Sequence, residues 1–299
     1  MPSISRLVPR VRDIAHHQLY RRQWNSAVIK SPISVVAGLA GPKAQAEALS
    51  SAIWLPEPSG GYVADPFGFQ TKQGDYRILV EHFDWRQGIG SIAMCTFDER
   101  GFSEYVPVLE LSSHLSYPFV ICHGDEILFI PEHSAARDVS AFAISAEGKV
   151  AARQTLFRDR PLVDSSIIVW EGRYWLFAIE NDRQWNAELN VFFADDIFGP
   201  WFPHARNPVK IDSASARPAG TPFVHKGQLY RPAQDCSDNY GAAVVINHVT
   251  ELTPTGFDEV SVGIISSQNL DRYNTGLHTL SEFGDFTLID ASRKSRRYW

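Results

Sequence analysis

The sequence predicts an all-β fold, a five-bladed β-propeller, on three observations. Five segments share one plan: a polar opening residue, a short strand, a turn glycine, then an apolar run that closes on an acid or its amide. The openings, at Asp65, Tyr117, Asp164, Thr221 and His278, recur every 47 to 57 residues, as propeller blades do. Aromatic residues make up 12% of the chain, and eighteen Phe and ten Tyr against two Met favour strands.

Taken in order, residues 1–23 carry Leu7, Val11 and Ile14 at helical spacing among several arginines. They predict a short N-terminal helical extension lying outside the ring. The segment lacks the apolar core of a secretory signal, and no run of about 18 apolar residues suggests a membrane span. Residues 24–299 read as a single propeller domain. Trp24–Ile29 (WNSAVI) is patterned like the third strands of the later blades, whereas the fifth repeat runs short of strands near Trp299. An N-terminal strand that completes the last blade would close the ring and remove the open sheet edge.

The paired inner strands are DPFGF with GDYRILVE, YPFVI with GDEILFIPE, DSSIIV with GRYWLFAIE, TPFVH with GQLYRPAQD, and HTLSEF with GDFTLID. Third strands follow at Ile89–Phe97, Val139–Ile144, Glu188–Phe193 and Ala242–Ile246. Fourth strands are expected at Val106–Glu110, Ala152–Phe157, Val209–Ile211 and Glu259–Ile264.

In a propeller the innermost strands line one channel, so equivalent positions converge at one mouth. The five openings should meet there, joined by the residues closing the second strands: Glu81, Glu132, Glu180, Gln234, Asp235 and Asp290. Clustered carboxylates raise one another's pKa and mark a site that meets a ligand. Asp65 and Asp164 are the expected catalytic pair, with Glu132 and Glu180 as further catalytic candidates. Glu81, His114, Tyr117, Arg217, Arg231, Gln234, Asp235, Tyr240 and His278 are expected to bind substrate. Trp85, Trp185 and Tyr240 follow closing residues and could offer rings to a sugar face or pack between blades.

Several segments carry a family resemblance: ADPF (64–67), HLSYPFV (114–120), IPEHS (130–134), DSSIIVWEGRYWLF (164–177) and ARPAGTPFVHKGQLYRPAQDCSDNYG (216–241). Over roughly residues 24–270 the chain resembles the N-terminal domain of glucosamine inositolphosphorylceramide transferases, whose bacterial homologues include some fused to formyltransferases. That resemblance implies a glycosidase-like five-bladed propeller in surface-polysaccharide or glycolipid metabolism. More distantly the chain is similar to furanosidase-type glycoside hydrolases. This implies Asp65 as base or nucleophile and Asp164 as the carboxylate that tunes the acid. The general acid of that arrangement is a Glu opening blade four. Here ARPAGTPF stands there, with no Glu between Ile211 and Tyr230. Glu132 or Glu180 would then supply the proton from a neighbouring blade, or Arg217 would mark an anionic substrate such as a phosphate or uronic acid.

A net charge of -6 with both signs mixed argues against a nucleic-acid partner. Three widely spaced cysteines without a CxxC argue against a disulfide framework and for a cytoplasmic, reducing compartment. No histidine pair has zinc-site spacing, so no metal ligands are assigned, although the oxygen-rich openings suit a central calcium or other cation. The expected partner is a carbohydrate or glycoconjugate, with other polysaccharide-pathway enzymes as companions. The function expected is to act on, or recognise, a glycan at the axial mouth. The alternative is a non-catalytic glycan-binding or scaffolding module.

Overall fold

The structure, a computed structural model, describes residues 20–182 and 186–296. Five antiparallel sheets succeed one another along the chain as the blades of a propeller. Blade one pairs Gly61–Gln70, Tyr76–Asp84 and Ile89–Asp98, with Gly101–Phe102 and Val106–Leu109 outside. Blade two runs Ser116–His123, Glu126–Glu132, Val139–Ile144, Val150–Phe157 from the axis outwards. Blade three runs Leu162–Trp170, Arg173–Glu180, Glu188–Ala194, with Phe202–Pro203 and Lys210–Ile211 on its rim. Blade four runs Phe223–His225, Gln228–Asp235, Ala243–Leu252, Phe257–Ser266.

Blade five begins with Leu280–Phe283 and Phe286–Arg296 and is completed by Tyr20–Ile29, then Ile53–Trp54. The N-terminal strand thus takes the third place, pairing from Tyr20↔Arg296 to Ile29↔Thr287. It closes the ring where the sequence pattern put it, but it starts earlier. Residues 20–23 were expected in a helical extension, yet ten cross-strand partners outweigh their helical spacing. Residues 1–19, which carry the rest of that expected helix, lie outside the described residues.

Among the described residues, α-helices occur at Ile33–Val36 and Pro42–Ser50, between the closing strand and blade one. The second has Pro42 in its first turn and an alanine-rich body, both good starting and propagating chemistry. Ile33, Val36, Ala48 and Leu49 pack with Val244, Ile246 and Ile265, covering the seam between blades four and five. The remaining apolar clusters likewise lie between neighbouring blades, such as Phe67, Phe119, Ile130 and Leu176 across blades one to three. Each sheet therefore buries both faces against its neighbours. The three cysteines are free, and no helix among the described residues is long and apolar enough to cross a membrane.

The inner strands share a distortion that positions the site. Asp65, Tyr117 and Asp164 adopt left-handed backbone, φ 48, 45 and 52°, each within a register shift of its strand pair. Non-glycine residues avoid that region, at a cost of order 1 kcal/mol or more each. Such a bulge re-aims a side chain, here towards the axis. Gly220 makes the corresponding turn in blade four at φ 114°. A Cβ there would sit 1.9 Å from the Leu280 carbonyl oxygen, so only glycine lets the two blades meet.

Candidate active site

At the mouth where the inner strands begin, a pocket of about 160 Å³ is lined by Trp24, Tyr62, Asp65, Glu81, His114, Glu132, Asp164, Arg217, Tyr240 and His278. A larger groove of about 460 Å³ lies at the opposite end, among turns such as Thr71–Gln73 and Gly124–Glu126. It holds little chemistry, since its Lys72 and Asp125 pair with each other at 2.9 Å.

Asp65 is buried and held from the two blades that flank its own. Its Oδ1 accepts the Thr279 hydroxyl at 2.8 Å and its Oδ2 the Tyr117 amide at 3.3 Å, while its own amide donates to Asp290 at 2.9 Å. His278 Nε2 lies 3.8 Å from Oδ1. Burial pushes the Asp65 carboxyl up, His278 draws it down, and Asp290 and Asp164 push it up again, to about 6.

Asp164 is fastened by Arg217 Nε at 2.5 Å and Gln234 Nε2 at 2.8 Å. Arg217 also donates to Asn186 at 3.0 Å and lies over the Tyr240 ring at 5.0 Å. This is a buried ion pair with its remaining polar atoms largely engaged, the condition under which such a pair is tolerated. Burial works against the Arg217 charge, but Asp164, Tyr240 and Glu132 more than restore it.

Glu132 keeps some surface open to the pocket, yet its carboxyl is enclosed by protein. That enclosure, with the charge and hydrogen bond of Asp164, outweighs Arg217 and the 3.1 Å Ser134 hydroxyl and pushes it up to about 8. Glu81, buried beside Asp65 and Glu132, is raised well above the usual carboxylate range by its burial and by those two charges. Its contacts are long: Tyr62 Oη at 3.4 Å and His114 Nε2 at 3.6 Å. His114 Nδ1 accepts the Gly90 amide at 2.9 Å, which leaves its proton on Nε2, facing Glu81. Burial holds the His114 pKa low, so the ring is a neutral donor.

His278 sits against Asp290, Nδ1 to Oδ2 2.7 Å, with Trp24 stacked on it at 3.9 Å and Tyr240 edge-on at 5.4 Å. Of the expected residues, the pocket therefore gathers Asp65, Asp164, Glu132, Glu81, His114, Arg217, Tyr240 and His278, with Gln234 just behind Asp164.

Four expected residues are placed elsewhere. Glu180 pairs with Leu162, whereas Glu81 and Glu132 pair with the residue just before the left-handed turn, as Ile179 does with Val163. A one-residue offset in a strand reverses the side chain's face, so Glu180 points away and pairs with Arg160 at 3.2 Å. Arg231 is fully buried inside blade four, forked onto Glu259 at 2.9 and 2.6 Å and onto the Ser215 and Ala216 carbonyls. Asp235 accepts the Ser237 amide and hydroxyl, which makes it a turn cap. Tyr117 contributes its amide to Asp65, but its ring fills the channel beneath, donating to Gly220 O and bonding Ser166 at 2.8 Å.

Trp24 and Tyr62 are not expected at the mouth from the sequence, and Asp290 is expected there but without an assigned role. Asp290 was visible as a closing acid, and Tyr62 precedes the ADPF motif. Nothing in the sequence brings Trp24 to the axis until the closing strand is paired. Trp85 packs on Tyr62 and Phe83 and carries the Arg21 guanidinium at 4.3 Å. Trp185 lies outside the described residues.

Fold and site together define a five-bladed propeller whose axial pocket concentrates buried carboxylates of separated proton affinity around one arginine. The family model for the N-terminal region of glucosamine inositolphosphorylceramide transferase 1 matches residues 40–277, and the chain belongs to that family. It is 34% identical over 218 residues to glucosamine inositolphosphorylceramide transferase 1 of Oryza sativa subsp. japonica, covering 69% of this chain and 29% of the relative. The Arabidopsis thaliana protein of that name is 30% identical, covering 67% and 27%. The chain thus spans less than a third of these relatives.

Among solved structures it is similar to a family 117 glycoside hydrolase of Zobellia galactanivorans, with TM-score 0.54, 13% identity and 90% of each chain covered. An exo-β-1,3-galactanase of Clostridium thermocellum gives TM-score 0.52 at 13% identity, covering 71% of this chain and 52% of that one. At these identities the likeness is one of fold.

Proposed function

We propose that this propeller is a carbohydrate-active enzyme that cleaves or transfers a glycosyl group at the axial mouth, in surface-polysaccharide or glycolipid metabolism. The observation that carries the proposal is two buried carboxyls in one pocket with different neighbours: Glu132 beside Asp164, pushed up to about 8, and Asp65 beside His278 and the Thr279 hydroxyl, pushed up to about 6. At neutral pH the first holds a proton to give and the second is mostly able to take one, the division of labour that glycosidic chemistry needs.

Glu132 then replaces the acid missing from blade four, protonating the leaving oxygen. Asp65 activates water or attacks the anomeric carbon. Asp164 acts through Glu132, keeping its proton in place, and Arg217 fixes Asp164 while presenting charge to the substrate. His114 and Glu81 face the pocket as polar partners for sugar hydroxyls, and Trp24 and Tyr240 supply aromatic walls. The relatives' names and the glycoside hydrolase neighbours support a glycan as the substrate class.

Activity screens on aryl furanosides and pyranosides, wild type against Asp65→Asn, test the proposal. Turnover lost in the variant is expected; equal rates in both forms would remove Asp65 from the chemistry. One observation favours a second reading, a non-catalytic glycan-binding module: Asp164 is neutralised by Arg217 and Gln234, as in a site built to hold rather than react. Saturable glycan binding, with no turnover in either form across the screen, would select it.

A further inference from the structure

Asp65, His278 and Asp290 bring one ligand-type atom each to within 4.8 Å of one another at the axis. A divalent cation bridges such a spacing, but these atoms are already committed. Asp290 Oδ1 accepts the His278 and Thr279 amides at 3.1 and 3.0 Å, and its Oδ2 accepts the Asp65 amide at 2.9 Å and His278 Nδ1 at 2.7 Å. The Asp65 oxygens are taken by Thr279 and Tyr117. A calcium ion asks for six to eight oxygen ligands, more than these committed atoms offer.

We propose that His278, an imidazolium fastened to Asp290, is the resident cation of the axial site and the positioning residue for Asp65. The charges around it are consistent with this from every side. Asp290 faces it from its own blade, Asp65 from blade one, and Asp164 acts on it from blade three. From blade four comes the edge of Tyr240, and from the closing strand Trp24, which also carries the Arg22 guanidinium at 5.4 Å. Burial works against the ring's charge, but Asp290, Asp65 and Asp164 outweigh it and leave its pKa raised.

The stack on Trp24 and the bond to Asp290 leave the ring no freedom to turn, so Nε2 is aimed at Asp65 Oδ1 with its proton towards the carboxylate. A positive charge there counters the burial of Asp65 and keeps it available as a proton acceptor. A built-in cation does this without depending on metal supply. What Asp65 does with its charge rests on the catalytic reading above; the charge state of His278 does not.

Nitrogen-15 histidine NMR of the intact protein tests the proposal. Both ring nitrogens of His278 should carry protons at pH 7, and a neutral tautomer there would overturn it. Millimolar calcium or EDTA should leave the melting temperature unchanged; a calcium-dependent rise would show that a metal, not the ring, completes the site. In His278→Gln, the carbon-13 titration of the Asp65 carboxyl should move up by at least one pH unit, and an unmoved titration would remove the positioning role. If that variant does not fold, the two wild-type measurements decide. A doubly protonated His278 in a protein that turns over no glycan would sink the catalytic reading and leave this one standing.

Discussion

Replacing Glu132 with glutamine separates its proton from its shape. The amide matches the neutral carboxyl in size, can still accept from Ser134 and donate to Asp164, and cannot ionise. Between the ordinary value of 4.5 and about 8, the native protein holds a proton on Glu132 that the unfolded chain has released. An acid raised by folding stabilises the native state below 4.5 and loses that contribution as the pH climbs through this window. The loss from one such group is about 1.4 kcal/mol per pH unit, ending above the folded pKa. Glu132→Gln has no such proton. Its stability relative to wild type should therefore rise by about 1.4 kcal/mol for each unit up to about pH 8, then level off. Asp65 and Glu81 tilt both curves in the same direction and largely subtract, because Glu81 feels a Glu132 charge only once that group ionises, towards pH 8. Urea unfolding of both proteins between about pH 5 and pH 9 gives the difference directly. A difference that does not change with pH would mean that Glu132 ionises like a surface carboxylate, and the reasoning that made it the proton donor would fail. If it is the donor, the same variant should also lose about 10²- to 10⁴-fold in turnover.

Removing Arg217 as Arg217→Met strands the Asp164 carboxylate in the pocket and should cost about 3–5 kcal/mol by denaturant unfolding; a loss under about 1 kcal/mol would mean that water already solvates Asp164. Gly220→Ala forces a Cβ against the Leu280 carbonyl, so it should abolish folding or lower the melting temperature by more than about 10 °C, and unchanged melting would mean the blade contact is looser than described. Glu180→Gln breaks only a partly exposed pair with Arg160; stability should change by less than about 1 kcal/mol and turnover not at all, and lost turnover would return Glu180 to the site.

Most of the ring was legible in the sequence because its signals are local. Turn glycines, apolar runs and opening residues each report on a few neighbours, and their recurrence fixed the blades and the place of the closing strand. The site was legible where a residue's role follows from its position in that repeat, as for Asp65, Asp164 and Glu132. It was hidden where a bulge changes the count. Glu180 looks equivalent to Glu132 by distance from its turn glycine, but the pairing is offset by one residue and turns it off the axis. Arg231 looks like a clamp for substrate until its fork is found on Glu259. Trp24 was hidden for a third reason, since its neighbour His278 lies more than 250 residues away in the chain. The helices at 33–36 and 42–50 occupy a connection that carries none of the repeat, so the pattern was silent there.

The closing strand has a bearing on how the protein comes to exist. Tyr20–Ile29 is made before all the intervening blades and must wait for Phe286–Arg296, the last described strand, before it has its partner. Bringing such distant segments together is slow, because the entropy of a long loop is lost before any contact repays it. Asp290 lies on the late strand, Trp24 on the early one, and Asp65 on the first blade across the seam. The acidic centre therefore cannot assemble in a partly made chain. Whatever chemistry the pocket performs is withheld until Phe286–Arg296 has been made and the ring has shut.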